Sequence, residues 1–184
     1  MAAFFISENN YKYYFGMFKF NSSLMFLISF FSVSFSQQIY QNDKYHFRLT
    51  FPDEWKIIID SGASVAINDG KDMELNIVIN EKEFYDKNSI DENGLEEFIN
   101  TITAQLENTC KDYKTINYGK MVIDNINAYY LYYSFGEKKK RLKGSEYFFI
   151  NKGKFYTITA GCYENDYVNY GPLFKDCVNS FRFY

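Results

Sequence analysis

Apolar residues recur along this chain with two periods, two and about 3.6, and the switches between them mark out its elements. Tyr45, Phe47, Leu49 and Phe51 alternate with His46, Arg48 and Thr50, the pattern of a half-buried strand. Pro52 has no backbone N–H to give to a ladder and ends that strand. Trp55 opens a second run over Lys56–Asp60, and a third, Ser64–Asn68, meets the hairpin signal Asn68-Asp69-Gly70. The strand beyond it, residues 73–84, sets Met73, Leu75, Ile77 and Ile79 on one face, with Glu74, Asn76 and Asn80 on the other.

The period then lengthens. Ser89 and Glu92 have the spacing of a capping box, in which each side chain satisfies the other residue's backbone N–H. Leu95, Phe98, Ile99, Ile102, Leu106 and Cys110 follow the i, i+3, i+4, i+7 rule, which predicts an amphipathic helix over residues 90–111. Strands return at 115–123, 126–135, 143–150 and 154–163, the last two joined through Asn151-Lys152-Gly153. Pro172 suits the first position of a short second helix carrying Leu173, Phe174, Cys177 and Val178, and residues 180–184 read as a closing strand. Meander, helix, meander, helix is an α+β arrangement: an antiparallel sheet flanked by helices, an α-β-α sandwich. No linker or repeat interrupts it, so residues 37–184 are expected to form a single domain.

The stretch before that domain is of another kind. Leu24 to Phe35 is an apolar run of about a dozen residues, short of the roughly 20 that span a bilayer. Lys19 precedes it, and Ser34 and Ser36 supply small residues at the −3 and −1 positions. That is the layout of a secretory signal peptide cut between Ser36 and Gln37, with an uncleaved apolar helix or anchor as the alternative. Met17 offers a conventional start, which would make residues 1–16 an upstream extension. Cleavage would place residues 37–184 in the periplasm or outside the cell, with no membrane span.

Several segments together carry a resemblance. "YHFRLTFPDEW" near residue 50, the mid-chain helix, "AYYLYYSF", "KFYTITAGCYENDY" and the terminal "VNSFRFY" resemble the PsbP-like/DcrB-like (Mog-type) superfamily of α/β/α sandwiches across residues 40–184. These motifs are structural: a strand-ending proline, a packed tryptophan, a final strand. The resemblance implies the fold and, since the superfamily spans photosystem accessory proteins, envelope lipoproteins and a Ran-binding protein, no catalytic residue.

Charge and composition narrow the chemistry. The net charge is −3, or about −4 without residues 1–36, a poor match to phosphate neutralisation, so nucleic acid is not an expected partner. The 18 Tyr and 20 Phe could stack on sugars, but abundant Asn, Lys and Ile beside them point instead to an AT-rich coding bias and to sheet propensity. No phosphate-binding loop, dinucleotide fingerprint, nucleophile elbow or metalloprotease motif occurs, and no cofactor is implied.

The remaining candidates are local. His46 is the only histidine, and its alternation with Tyr45 and Phe47 puts it on the polar side of its strand. Asp53 and Glu54 form an acidic pair in a turn. Asp69, Asp72 and Glu74 surround a hairpin tip, where they could hold a hard cation or serve as solvated turn residues. Cys162 and Cys177 could pair as a disulfide in an oxidising compartment; buried free thiols, with Cys110, are the alternative. The sharpest feature is Lys138, Lys139, Lys140, Arg141 and Lys143, five cations in six residues of an acidic domain. They could dock an anionic partner, an envelope protein or an anionic surface, or simply solvate a hairpin loop.

The expectation is an exported accessory or binding protein of the envelope without catalysis of its own. The other reading is a small-ligand binder or hydrolase with a cleft near the 84–92 loop. Cleavage after Ser36 predicts that the intact mass of the exported product starts at Gln37, and a product retaining residues 1–36 would exclude it.

Overall fold

The computed structural model of the chain describes residues 36–61, 63–80, 92–137 and 140–184, with side chains of the first helix described from Glu97 onward. Its elements run β1 (Gln37–Asn42), β2 (Phe47–Pro52), β3 (Lys56–Asp60), β4 (Ser64–Asn68), β5 (Met73–Asn80), α1 (Glu92–Thr109), β6 (Lys114–Ile123), β7 (Ile126–Phe135), β8 (Leu142–Asn151), β9 (Lys154–Tyr163), α2 (Tyr167–Ser180) and β10 (Arg182–Phe183). Pairs of left-handed residues close two of the hairpins: Asp124-Asn125 between β6 and β7, Lys152-Gly153 between β8 and β9. Two successive positive φ values give a turn whose twist matches that of the flanking strands.

All the described strands pair antiparallel, but in two sheets rather than one. A large sheet has the order β3-β4-β5-β9-β8-β7-β6, and a small one the order β1-β2-β10. Alternation sorts the large sheet's side chains between two cores. On one face Leu75, Ile77, Tyr147, Phe149, Tyr156, Ile158 and Cys162 pack with α2 and the small sheet. On the other, Tyr129, Leu131, Tyr133 and Phe148 pack against Ile99 and Leu106 of α1 and Cys110 just beyond it. The layers are therefore small sheet with α2, large sheet, α1.

Most elements follow the alternation, and the departures have physical causes. β1 escapes notice because two of its three inward positions, Gln38, Tyr40 and Asn42, are polar while the outward Ile39 is apolar, so its burial alternates but its hydropathy does not. Its partner β2 starts at Phe47, since His46 adopts a left-handed φ of 53° in the preceding turn. The second helix starts at Tyr167, not at Pro172. Tyr167, Tyr170 and Phe174 form a stripe at helical spacing, with Tyr170 and Phe174 stacked at 6.0 Å, and their burial outweighs the proline signal. Pro172 thus sits inside the helix, where it removes the N–H that would reach the Val168 carbonyl. Gly171 makes this tolerable: the missing Cβ relieves the crowding before a proline, and a Cβ there would run into the Tyr167 ring. The Ser89–Glu92 capping box lies outside the described residues.

One aromatic ring ties the two sheets together. Phe181, fully buried, stacks on Phe47 of β2 at 4.9 Å and meets Phe149 of β8 edge-on at 5.4 Å. Next to it, Ser180 Oγ accepts the Thr50 N–H at 2.8 Å and donates to the Cys177 carbonyl at 2.7 Å. Truncating Phe181 removes contacts to both sheets at a site that cannot collapse. Phe181→Ala should cost about 3–5 kcal/mol in urea unfolding, whereas a loss under about 1 kcal/mol would show that the sheets hold together without it.

Candidate functional site

The five-cation segment is split by the fold into three fates. Lys138 and Lys139 lie outside the described residues, and Lys140 is exposed. Arg141 turns back into the protein, donating to the Gly136 carbonyl at 3.2 Å, to the Asp112 carbonyl at 3.1 Å and to Ser134 Oγ. Lys143 is buried. The segment is thus not one continuous basic surface, because a strand face and a loop latch each claim one of its cations.

The latch has a consequence for the lysines around it. Asp112 belongs to the turn between α1 and β6, and Gly136 to the loop between β7 and β8. Arg141 bridges the two, and the Gly136 N–H donates to the Lys111 carbonyl at 2.6 Å. Glu137 accepts the Lys111 ammonium at 2.6 Å, while its backbone carbonyl accepts the Lys140 N–H at 2.8 Å. The Lys111 hydrogen bond holds the Glu137 carboxyl below its ordinary range and raises the Lys111 ammonium. Lys111, Lys114 and Lys140 consequently belong to one corner of the described structure. Lys111 and Lys114 did not stand out in the sequence, because only the order of β6, β7 and β8 brings their turn beside the later loop.

Lys143 lies at the opposite extreme of exposure, 5%. It faces Cys162 across β9 and Ser134 across β7, with its ammonium 4.1 Å above the Tyr167 ring. Burial pulls its pKa down to about 8, against the opposing pull of Glu164 and Cys162. The ring face supplies some of the attraction that water would have given. Three residues on, Glu146 enters the other core, where it accepts the Tyr133 hydroxyl at 2.7 Å. Burial raises that carboxyl and, with the Glu146 charge beside it, raises Tyr133 well above the usual phenol range.

The other candidates do not converge. Asp69 accepts the Tyr170 hydroxyl and, at 2.9 Å, the Lys71 N–H. Glu74 is occupied by Asn76 at 2.5 Å on a separate strand face, and Asp72 is exposed. Among the described residues no three His, Cys, Asp or Glu side chains come together as metal ligands, Asp69, Asp72 and Glu74 included. The Cys162–Cys177 bridge is not formed either: all three cysteines are buried free thiols. Burial pushes both Cys162 and Cys177 up to about 12, so neither is a nucleophile at neutral pH. His46 is exposed, edge-on to Tyr184 at 5.8 Å. Asp53 and Glu54 are exposed in the turn closed by the Trp55 N–H and the Pro52 carbonyl. The 84–92 loop lies outside the described residues up to Asp91.

An open hollow of about 250 Å³ does occur elsewhere, lined by Val122, Ile123, Asp124, Asn125, Asn179 and Arg182. Its charges are committed to the fold: Asp124 accepts the Phe183 N–H at 2.7 Å and lies 3.8 Å from the Arg182 guanidinium. That arrangement anchors β10.

Two antiparallel sheets, with one helix on one face of the large sheet and a second beside the small sheet on the other face, define a known class of α+β domain. The PsbP family model matches residues 36–183, and the chain belongs to that family. No curated protein matches. Among solved structures, cyanobacterial PsbP (CyanoP) from Synechocystis sp. PCC 6803 is similar at a TM-score of 0.62 and 21% identity, over 82% of this chain and 94% of that one. LpqN, described as involved in cell envelope biogenesis of Mycobacterium tuberculosis, is similar at 0.53 and 11% identity, over 80% and 90%. The Pseudomonas aeruginosa protein PA94, of unknown function, is similar at 0.50 and 12%, over 78% and 94%. At these identities the likeness is one of fold. No helix among the described residues is long and apolar enough to cross a membrane.

The buried Lys143 has a measurable signature. Its folded pKa of about 8 lies below the ordinary 10.5, so below pH 8 the fold carries the full penalty of a buried ammonium. Between 8 and 10.5 the unfolded chain binds more protons, and the penalty fades as pH rises. Lys143→Met should therefore be more stable than the parent at neutral pH, by about 1–3 kcal/mol. The gap should narrow through that window. A variant less stable than the parent at neutral pH would show that the ammonium holds the fold together.

Proposed function

We propose that this protein is an exported accessory module of the cell envelope that acts by binding, without chemistry of its own. It docks through its cationic corner on a protein or surface of opposite charge. The observation that carries this reading is the Arg141 latch, which joins two separate lysine-bearing loops into one rigid-backed corner. A flexible basic loop pays conformational entropy to bind; one pinned at both ends pays less. The domain around it is acidic overall, so the corner is the natural meeting point for an anionic partner.

The chemistry of the remaining side chains supports binding over catalysis. The thiols Cys162 and Cys177 are held protonated, and Asp69 and Glu74 near the hairpin tip are each engaged within the fold. LpqN, which shares the fold, is described as an envelope biogenesis protein, which agrees with an envelope setting.

Capture from cell-envelope extract, run beside flotation with vesicles bearing anionic headgroups, tests the proposal. Replacing Lys138, Lys139 and Lys140 with Gln should weaken binding about a hundredfold, at about 1 kcal/mol per lysine near an anionic surface. Binding of the parent should also fall steeply with salt. A partner retained at full strength by the triple variant, or binding indifferent to salt, would overturn docking through this corner. Separately, Arg141→Gln should weaken binding through loss of the latch while leaving Lys138, Lys139 and Lys140 in place.

A further inference from the structure

β3 is one border of the large sheet, and all five of its residues are exposed. Ile57, Ile58 and Ile59 show 42%, 49% and 52% of their surface to solvent. Three consecutive exposed isoleucines on a border strand are an open template for another strand, a hazard that proteins ordinarily suppress. Here the strand is also written to fit itself. In an antiparallel pairing of two β3 strands centred on Ile58, Lys56 of one copy faces Asp60 of the other. Ile57 faces Ile59, Ile58 faces its own counterpart, and the second Lys–Asp pair completes the match. Opposite charges and branched apolar residues directly across from each other are the favourable cross-strand pairs. A parallel pairing would instead set Lys on Lys and Asp on Asp.

We infer that β3 is a homodimer interface, with a second copy of this chain adding its β3 antiparallel in the register centred on Ile58. The occupant is specified by charge: an antiparallel partner must offer an acid, three apolar residues and a base in reverse order, and β3 itself has that sequence. Two features suit it to a closed pair. Tyr40 donates to Asp60 Oδ2 at 3.1 Å, holding that carboxylate at the strand end. β4 pairs Ile57 with Ile67 and Ile59 with Ala66, passing over Ile58 as a bulge. A bulge increases twist and limits the run of pairing, so two copies join by a two-fold axis and the β3 edges are used up. The two large sheets would become one continuous sheet, with β6 and the cationic corner of each copy at its far ends. This interface stands apart from the docking reading above and does not depend on it.

Sedimentation of the full chain over a wide concentration range reads the association. The parent should pass from monomer to dimer. Lys56→Asp puts like charges together twice per dimer and should weaken association about tenfold or more. The exchange Lys56→Asp with Asp60→Lys should recover most of that loss. Register is read independently by cross-linking. Under mild oxidation Ile58→Cys should give a covalent dimer quickly, because position 58 faces itself, whereas Ile57→Cys should do so slowly, facing position 59. The native thiols are buried and do not compete. A parent that stays monomeric at every concentration overturns the inference, as does Lys56→Asp association equal to the parent's, or Ile57→Cys cross-linking as fast as Ile58→Cys. Because the cross-linking positions are exposed, misfolding does not obscure that readout.

Discussion

The fold depends on the packing of one phenylalanine between two sheets that share no hydrogen-bonded strands. The small sheet has three strands, one of them only two residues long, and a sheet that size does not stand alone in water. It persists because Phe47, Leu49 and Phe51 lie over the same core as Tyr147, Phe149 and Tyr156. Phe181 fills the space where these surfaces meet, stacked on one and edge-on to the other. Phe183 extends the same aromatic set, meeting Tyr156 at 5.2 Å and Phe181 at 5.1 Å. The placement of β10, the end of α2 and the exit of β2 all follow from that junction.

β8 shows how such a fold can hold charge inside. It is covered on both faces, and Lys143 and Glu146 leave it in opposite directions because they are an odd number of residues apart. Each meets one aromatic residue, the Tyr167 ring for the ammonium and the Tyr133 hydroxyl for the carboxylate. The two opposite charges therefore do not neutralise each other; the sheet lies between them. Single partners of this kind compensate desolvation only in part, which is why both groups are displaced toward their neutral forms.

Much of this architecture was legible in the pattern of residues. The alternation from Met73 to Ile79, the 3.6 period from Phe98 to Cys110 and the turn at Lys152-Gly153 are local signals, and the antiparallel α+β class follows from them. What was not legible is whatever depends on which strands become neighbours. Arg141 reads as a member of a basic run, yet its role is set by Asp112, 29 residues earlier. Lys143 reads as the last cation of that run, yet its burial is set by Cys162 and Tyr167 arriving from β9 and α2. The separation of β1, β2 and β10 into a sheet of their own was likewise hidden, since β1 is mostly polar and β10 is very short.

The partnership between β2 and β10 also sets an order of events during synthesis. Thr50 waits for Ser180, 130 residues later, and Phe47 for Phe181. Until residue 183 is available, β2 has β1 on one side and an unpaired edge on the other. The large sheet has all its strands by Tyr163, so it is the small sheet alone that must wait, as β1 and β2 by themselves are too few to stand in water. The two layers are therefore built in sequence, the wide one largely from neighbouring strands and the narrow one from strands that lie far apart along the chain.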